Sequence, residues 1–294
     1  MFDKLSIPLV AGQLLIGLIN GSFYAMLSMG LAIIFGLMNV VNFAHGAQYM
    51  LGAFVAWVLL NVAGVNYWIA LLIAPIVVAL VGLAMERIVL RPLQNLDHLY
   101  GLLATYSMAL IIEGLVRQRY GSTGLPYPNP MPGGFDLGFM FMPWYRLWVV
   151  CFSLAICLGT WLLIEHTRLG AYLRAATEKP HIVESFGINV PRLIALTYGF
   201  GVGLAALGGV LAAPIYQVSP YMGSSIMIVI FAVVVIGGMG SIIGAIATGY
   251  LLGLAEAVTK IVYPEAANIV IFVIMIVALI MRPNGIFSPS EKVS

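Results

Sequence analysis

Apolar residues recur along this chain in runs of about 20, each long enough to cross a hydrocarbon core of roughly 30 Å. Such runs lie near 12–37, 41–61, 68–86, 100–118, 146–164, 191–212, 242–258 and 266–281. No stretch alternates polar and apolar residues at period two, which argues against an outer-membrane barrel. Helices are then the remaining way to satisfy every backbone group in lipid. The fold class expected is all-α: a polytopic membrane helix bundle of about eight spans, with two broken or re-entrant segments and a possible internal repeat.

The broken segments stand where an apolar run stops short. Ile226–Ile236 would rise only about 16 Å as a helix, and Gly237-Gly238-Met239-Gly240-Ser241 follows it. In the N-terminal half a run ends at Leu37, and Asn39-Val40-Val41-Asn42-Phe43-Ala44-His45-Gly46 comes before the next. Paired breaks in two halves often mark a path at mid-membrane, so the two breaks are expected to approach each other or a shared cavity. Glycine also serves helix packing alone. Gly17/Gly21, Gly240/Gly244 and Gly249/Gly253 are spaced four apart, which lets helices approach closely.

Composition agrees with the pattern. The 294 residues are 62% hydrophobic and 8% charged, against roughly 25% charged in a soluble domain. Met1-Phe2-Asp3-Lys4 lacks a basic n-region and a cleavage site, so no removable signal peptide is expected. Cys151 and Cys157 share one apolar run, which disfavours a disulfide or a zinc site. The net charge of +2 includes no basic run for nucleic acid.

Charge concentrates in one place. Glu165–Arg192 holds Glu165, Arg168, Arg174, Glu178, Lys179, Glu184 and Arg192, with His166 and His181. By the positive-inside rule this loop is cytoplasmic. Counting spans back puts the N-terminus outside, Glu86–Leu99 inside, and the Pro- and Gly-rich loop Tyr120–Tyr145 outside. A loop so long and mixed in charge suits a docking surface.

Polar residues inside spans are the candidates for function. Gln13, Gly17, Asn20, Tyr24 and Ser28 fall on one stripe of the first helix. The stripe reads either as a pore-lining face or as interhelical hydrogen bonding. Asn42 is placed to cap the next helix by accepting from its first-turn N–H groups. His45 would then sit near a positive helix end able to receive a carboxylate, or serve only as a hydrogen-bonded packing residue. Glu113 with Arg117, and Glu256 with Lys260, are four apart near span ends and read as interfacial helix pairs. The chain has no His-Glu-x-x-His and no Gly-x-x-x-x-Gly-Lys-[Ser/Thr]; any nucleotide-driven work would come from another chain.

Five segments in order resemble the permease of bacterial branched-chain amino acid ABC transporters. They are Asn42-Phe43-Ala44-His45-Gly46; Glu86-Arg87-Ile88-Val89-Leu90-Arg91-Pro92-Leu93; Arg174-Ala175-Ala176-Thr177-Glu178 with Gly187-Ile188-Asn189; Gly237-Gly238-Met239-Gly240-Ser241; and Arg282-Pro283-Asn284-Gly285-Ile286. The resemblance implies a single transmembrane permease domain over 1–294 in a bacterial inner (plasma) membrane, multi-pass. It implies a second related permease chain as heterodimer partner, two cytoplasmic ABC ATPases and a periplasmic substrate-binding protein. This chain would bind no cofactor, and the partner ATPases would use ATP.

In that reading Glu165–Arg192 is the coupling loop. Arg174, Ala175, Ala176, Glu178, Glu184 and Gly187 are its candidate ATPase contacts. Tyr172–Thr177 and Ile182–Phe186 have helical composition; Pro180 interrupts them and Gly187 can end the second. The candidate path residues are Gln13, Asn20, Tyr24, Ser28, Asn42, His45, Gly237, Gly238, Gly240 and Ser241. One departure stands out: Ser224–Ile236 lacks the Lys that some amino acid permeases of the family carry there.

Three classes compete: a permease subunit of an ATP-driven importer for branched-chain amino acids or related small polar or amphipathic solutes, a secondary transporter, and a channel for a small organic solute. A secondary transporter predicts buried ionisable residues, of which the spans supply few. A channel would not need an elaborate cytoplasmic loop.

Overall fold

A computed structural model describes residues 7–38, 41–94, 96–138 and 140–287. The expectations at Met1–Lys4 and at Asn39 and Val40 of the first break lie outside the described residues. In chain order the helices begin with α1 (Ile7–Met38), α2 (Ala44–Asn61) and α3 (Tyr67–Met85). A π-helical turn (Glu86–Leu90) then runs into the short α4 (Arg91–Leu93), followed by α5 (His98–Tyr120). A hairpin of β1 (Gly134–Asp136) and β2 (Phe141–Pro143) precedes α6 (Trp144–Glu165), α7 (Arg168–Glu178) and α8 (Pro180–Ser185). The chain closes with α9 (Val190–Ala212), α10 (Met222–Gly237), α11 (Ile242–Val262) and α12 (Ala267–Met281).

Among the described residues, seven helices are long and apolar enough to cross a membrane: α1, α3 with its extension to Leu93, α5, α6, α9, α11, and α12 with the turn before it. The architecture is an all-α polytopic membrane bundle. The eighth expected span is α2, which has 18 residues; its polar start, with His45 and Gln48, keeps it out of that set. The short run expected over Ile226–Ile236 is longer in the structure. α10 begins at Met222 and has 16 residues, a rise of about 24 Å. It starts early because Ser224 and Ser225 donate their hydroxyls back to the Tyr221 carbonyl at 3.1 and 3.0 Å, so neither leaves a bare polar group in the first turn.

The chain's contacts fall into two compact units. One comprises Met1–Met29, Met131–Cys157 and Val229–Ser294; the other comprises Gly30–Pro130 and Leu158–Ile228.

In the second unit α3 packs on α9, and α2 packs on both. Lipid offers helices no hydrophobic reason to associate, so close backbone approach carries the packing. A Cβ added at Gly52 of α2 would lie 2.5 Å from Ala206 Cα and 2.6 Å from Ala206 C on α9. Only glycine fits there. Ile34, Val78, Leu90, Tyr198, Val202 and Ala206 form the core of this unit. α5 is far more exposed, as a helix facing lipid or another chain would be; Leu103, Tyr106, Leu110 and Ile111 all lie open.

In the first unit α11 packs on α12, around Leu252, Ile271 and Ala278 with Ala232, Val233 and Ile236 of α10. The N-terminal part of α1 meets α11 through glycine: a Cβ at Gly17 would lie 2.5 Å from Ala257 Cβ. The hairpin pairs Phe135 with Met142 in antiparallel register.

Candidate functional site

The break before α2 is held by side chains from three helices. Asn42 Oδ1 accepts from the Ala44 N–H at 3.1 Å, and the Asn42 carbonyl accepts from the His45 N–H at 3.1 Å. Phe43 is the residue flanking the helix and makes no side-chain cap, so Asn42 supplies the capping bond from one position further out. On α5, the Thr105 hydroxyl accepts from the Phe43 N–H at 3.2 Å and faces the Val41 carbonyl at 3.3 Å and the Leu102 carbonyl at 2.9 Å. The Asn42 amide donates to Gln48 Oε1 at 3.1 Å, and Gln48 Nε2 donates to the Tyr198 hydroxyl of α9 at 3.2 Å. Asn42, His45, Gln48, Thr105 and Tyr198 are all buried.

This cluster lies deep in the spans. Thr105 is about 10 Å along α5 from its first residue, and Tyr198 about 12 Å along α9. Unwound backbone at that depth costs several kcal/mol per unpaired group unless protein or water meets it. Here protein does. Sequence analysis found Asn42 and His45 and passed over Gln48, Thr105 and Tyr198. The available signal was a polar side chain inside an apolar run, which lipid does not tolerate without a partner.

A cavity of ≈ 400 Å³ opens beside the break. Phe43, Gly46 and Met50 form one wall, Tyr106 and Glu113 of α5 another, and Ser224 of α10 lies on a third. Glycine lets the walls meet: a Cβ at Gly46 would lie 3.0 Å from the Gly223 carbonyl carbon. The structure does not put the His45 ring among the lining residues. A Cβ at Gly30 of α1 would lie 3.2 Å from His45 Cε1, so the imidazole packs against that glycine. Arg117, expected to pair with Glu113, donates to the Tyr221 hydroxyl at 3.5 Å, and Glu113 faces the cavity.

The Gly237–Ser241 break belongs to the other unit. Gly238 and Gly240 have φ of 101° and 88°, the left-handed region that glycine enters without strain. Ser241 caps α11, its hydroxyl accepting from the Gly244 N–H at 3.1 Å. The turn after α12 closes this break: the Ile286 and Phe287 N–H groups donate to the Ile236 and Gly237 carbonyls at 2.9 and 3.2 Å. Two separately quoted segments, Gly237–Ser241 and Arg282–Ile286, are therefore one backbone junction.

The stripe on α1 faces protein where its partners are seen. The Tyr24 hydroxyl donates to Glu256 Oε2 of α11 at 2.8 Å, and the Ser28 hydroxyl lies 3.2 Å from the Ala245 carbonyl. Glu256 also pairs with Lys260 at 2.5 Å, and it is only 5% exposed; this pair is sheltered by α1 rather than left at the water interface. Gln13 and Asn20 are half-buried on the same helix.

The charged loop folds as expected into two short helices. Pro180 begins α8, and Gly187, at φ 80°, ends it. Ala176, Val183 and Val190 bury together with Ile188, Leu193 and Ile194 around them, which fixes α7 and α8 on the first turns of α9. The Asn189 side chain caps α9 by accepting from the Arg192 N–H at 3.0 Å. Arg174 pairs with Glu165 at 3.3 Å, and His181 lies 3.9 Å from Glu184. Arg174, Ala175, Glu178, Glu184 and Gly187 are exposed, while Ala176 is turned inward. The structure adds apolar members to this surface: Tyr172, Ile182 and Phe186, the last 80% exposed. An exposed apolar patch rimmed by charge suits an interaction surface, whether for protein, membrane or ligand.

The loop expected outside is non-helical and anchored. The Trp57 indole N–H donates to the Pro126 carbonyl at 3.2 Å, and Leu125 pairs with Val218. Tyr127 packs edge-on against Tyr67 at 6.1 Å, and burial pushes its phenol up to about 12.

Residues 13–279 match the family model described as "Branched-chain amino acid transport system / permease component". The chain belongs to this permease family. It is 31% identical to the high-affinity branched-chain amino acid transport system permease protein LivH of Escherichia coli K12, over 95% of this chain and 96% of LivH. It is 32% identical to the permease protein BraD of Pseudomonas aeruginosa over the same shares. The ribose import permease protein RbsC of Escherichia coli K12 is 27% identical over 51% of this permease and 50% of RbsC. No solved structure matches the permease. It is a multi-pass membrane protein.

Proposed function

We propose that this permease is the membrane subunit of an ATP-driven importer for branched-chain amino acids or related small amphipathic solutes. It forms half of the translocation path beside a second, related permease. Two cytoplasmic ATPases bind and hydrolyse ATP; a periplasmic binding protein delivers the solute; the assembly sits in the bacterial inner membrane. The observation that carries the reading is the unwound Val41–Phe43 segment that enters α2 at membrane depth, beside the cavity lined by Phe43, Gly46, Met50, Tyr106, Glu113 and Ser224. Its ≈ 400 Å³ falls within the roughly 300–1,000 Å³ of small-molecule sites. Apolar walls with few polar groups suit an aliphatic solute bearing a small polar head.

The exposed surface of α7 and α8 supports the coupling role. It joins charge to an apolar patch, and its buried face is keyed to α9 through Val190. The proposal is tested by filling the cavity. Ser224→Phe should abolish uptake by the reconstituted complex while leaving assembly with the ATPases unchanged. Normal uptake by this variant would remove the cavity from the path.

A further inference from the structure

The buried polar cluster joins two bodies of the second unit at the break. α2 and α9 meet backbone to backbone at Gly52 and Ala206, α3 packs on both, and α9 carries the coupling loop at its N-terminal end. This group of helices forms one packed block. α5 is the other body, holding the break's backbone through Thr105 at the Phe43 N–H and the Val41 carbonyl. Between them stands Asn42. Its amide reaches back to the block through Gln48 Oε1, and Gln48 reaches the Tyr198 hydroxyl.

We infer that Gln48 and Tyr198 are positioning residues that link displacement of α9, driven at the coupling loop, to the conformation of the Val41–Phe43 break before α2. The inference rests on the reading of the chain as an ATP-driven permease. Its physical content is a competition. A shift of α9 pulls Gln48 through the Tyr198 hydroxyl, and Gln48 pulls the Asn42 side chain, while Thr105 of α5 holds the neighbouring backbone. The break must rearrange, and the cavity walls contributed by Phe43 and Gly46 rearrange with it. Satisfying the buried groups does not by itself require this route, since Asn42 could cap α2 without any contact with α9. The Gln48–Tyr198 bond is the member of the cluster that spans the two helices of the block, and neither residue is among those lining the cavity.

The test uses the full complex in lipid. Tyr198→Phe removes one hydroxyl and no carbon. It should leave complex yield and basal ATPase unchanged and cost no more stability than one buried hydrogen bond, while solute imported per ATP hydrolysed falls roughly two- to tenfold. Gln48→Met breaks the link from the other side and should lower the same ratio. The double variant should be no worse than the more severe single, because both remove one connection. A purely structural role would lower yield and melting temperature and leave import per ATP unchanged; that result in either single variant overturns the inference. Unaltered complex that shows no ATP-driven uptake would overturn the functional reading itself, whereas normal uptake with unchanged coupling in the variants overturns only the link.

Discussion

Replacing Asn42 with alanine isolates what holds the first break together. The substitution removes the acceptor of the Ala44 N–H and the donor to Gln48 Oε1, both at 3.1 Å, and keeps the backbone bond from the His45 N–H. Two buried groups are stranded, each costing about 1–3 kcal/mol, so a total loss of roughly 2–6 kcal/mol is expected. Asn66 is the control. Its side chain caps α3 by accepting from the Ile69 N–H at 3.0 Å in an exposed setting, where water replaces the lost bond and the cost is about 1 kcal/mol. Asn42→Asp divides the two tasks. It keeps the capping acceptor but sets a carboxylate oxygen against Gln48 Oε1, so the Gln48 amide turns over to donate to the carboxylate and its Oε1 accepts from the Tyr198 hydroxyl, which donates as readily as it accepts. This variant should melt closer to the unaltered protein than Asn42→Ala and, with the contact to Tyr198 kept, import more solute per ATP than Tyr198→Phe. Thermal unfolding of the complex in nanodiscs, with a double-mutant cycle through Gln48→Ala, reads these differences; contacting partners couple by about 0.5–3 kcal/mol. An Asn42→Ala variant no less stable than Asn66→Ala, or strict additivity with Gln48→Ala, would refute the reasoning.

Gly52→Val drives a branched side chain into the Ala206 backbone and should abolish assembled protein; Gly114→Ala, with nothing within 4 Å, should be neutral by the same melting assay. Gly187→Trp meets open space but forces a non-glycine residue to φ 80°, at roughly 1–2 kcal/mol. With Glu184→Lys it should reduce ATPase association or uncouple hydrolysis from uptake without preventing membrane insertion, measured by co-purification and uptake. Glu86 is buried with Oε2 meeting no protein partner. Glu86→Gln keeps the shape and removes the charge, so the melting temperature should hold or rise; a loss above about 1 kcal/mol would show that the carboxylate has a partner. A cysteine at Asn129 should be labelled by an impermeant reagent from the periplasmic face of intact cells; labelling only from the cytoplasm would invert the topology.

The helices were legible because lipid imposes one rule, a long apolar run, and Pro180 and Gly187 marked the ends of α8 for local reasons that need no tertiary contact. α10 was read one residue short at its end and four residues late at its start, the latter because Ser224 and Ser225 look like a boundary until their hydroxyls bond back to Tyr221. The cluster at the break was half legible. Asn42 announces a cap by its position, whereas Thr105 and Tyr198 join it across separations of 62 and 150 residues along the chain; that meeting depends on which faces of α5, α2 and α9 pack together, and no local pattern encodes it. The same holds for Tyr24 and Glu256. Each reads alone as a stripe member or an interfacial pair, and their bond fixes both as α1–α11 contacts. The junction of Gly237 with Phe287 joins two motifs that sequence order keeps apart.

The central claim is that this chain imports a solute only as part of an ATP-driven complex. The most direct measurement is uptake of labelled leucine into proteoliposomes holding the permease, its partner permease and their ATPases, with binding protein added outside. Uptake is expected to require both internal ATP and the binding protein, together with solute-stimulated ATP hydrolysis. Uptake by this chain alone, driven by an ion gradient and indifferent to ATP, would contradict it.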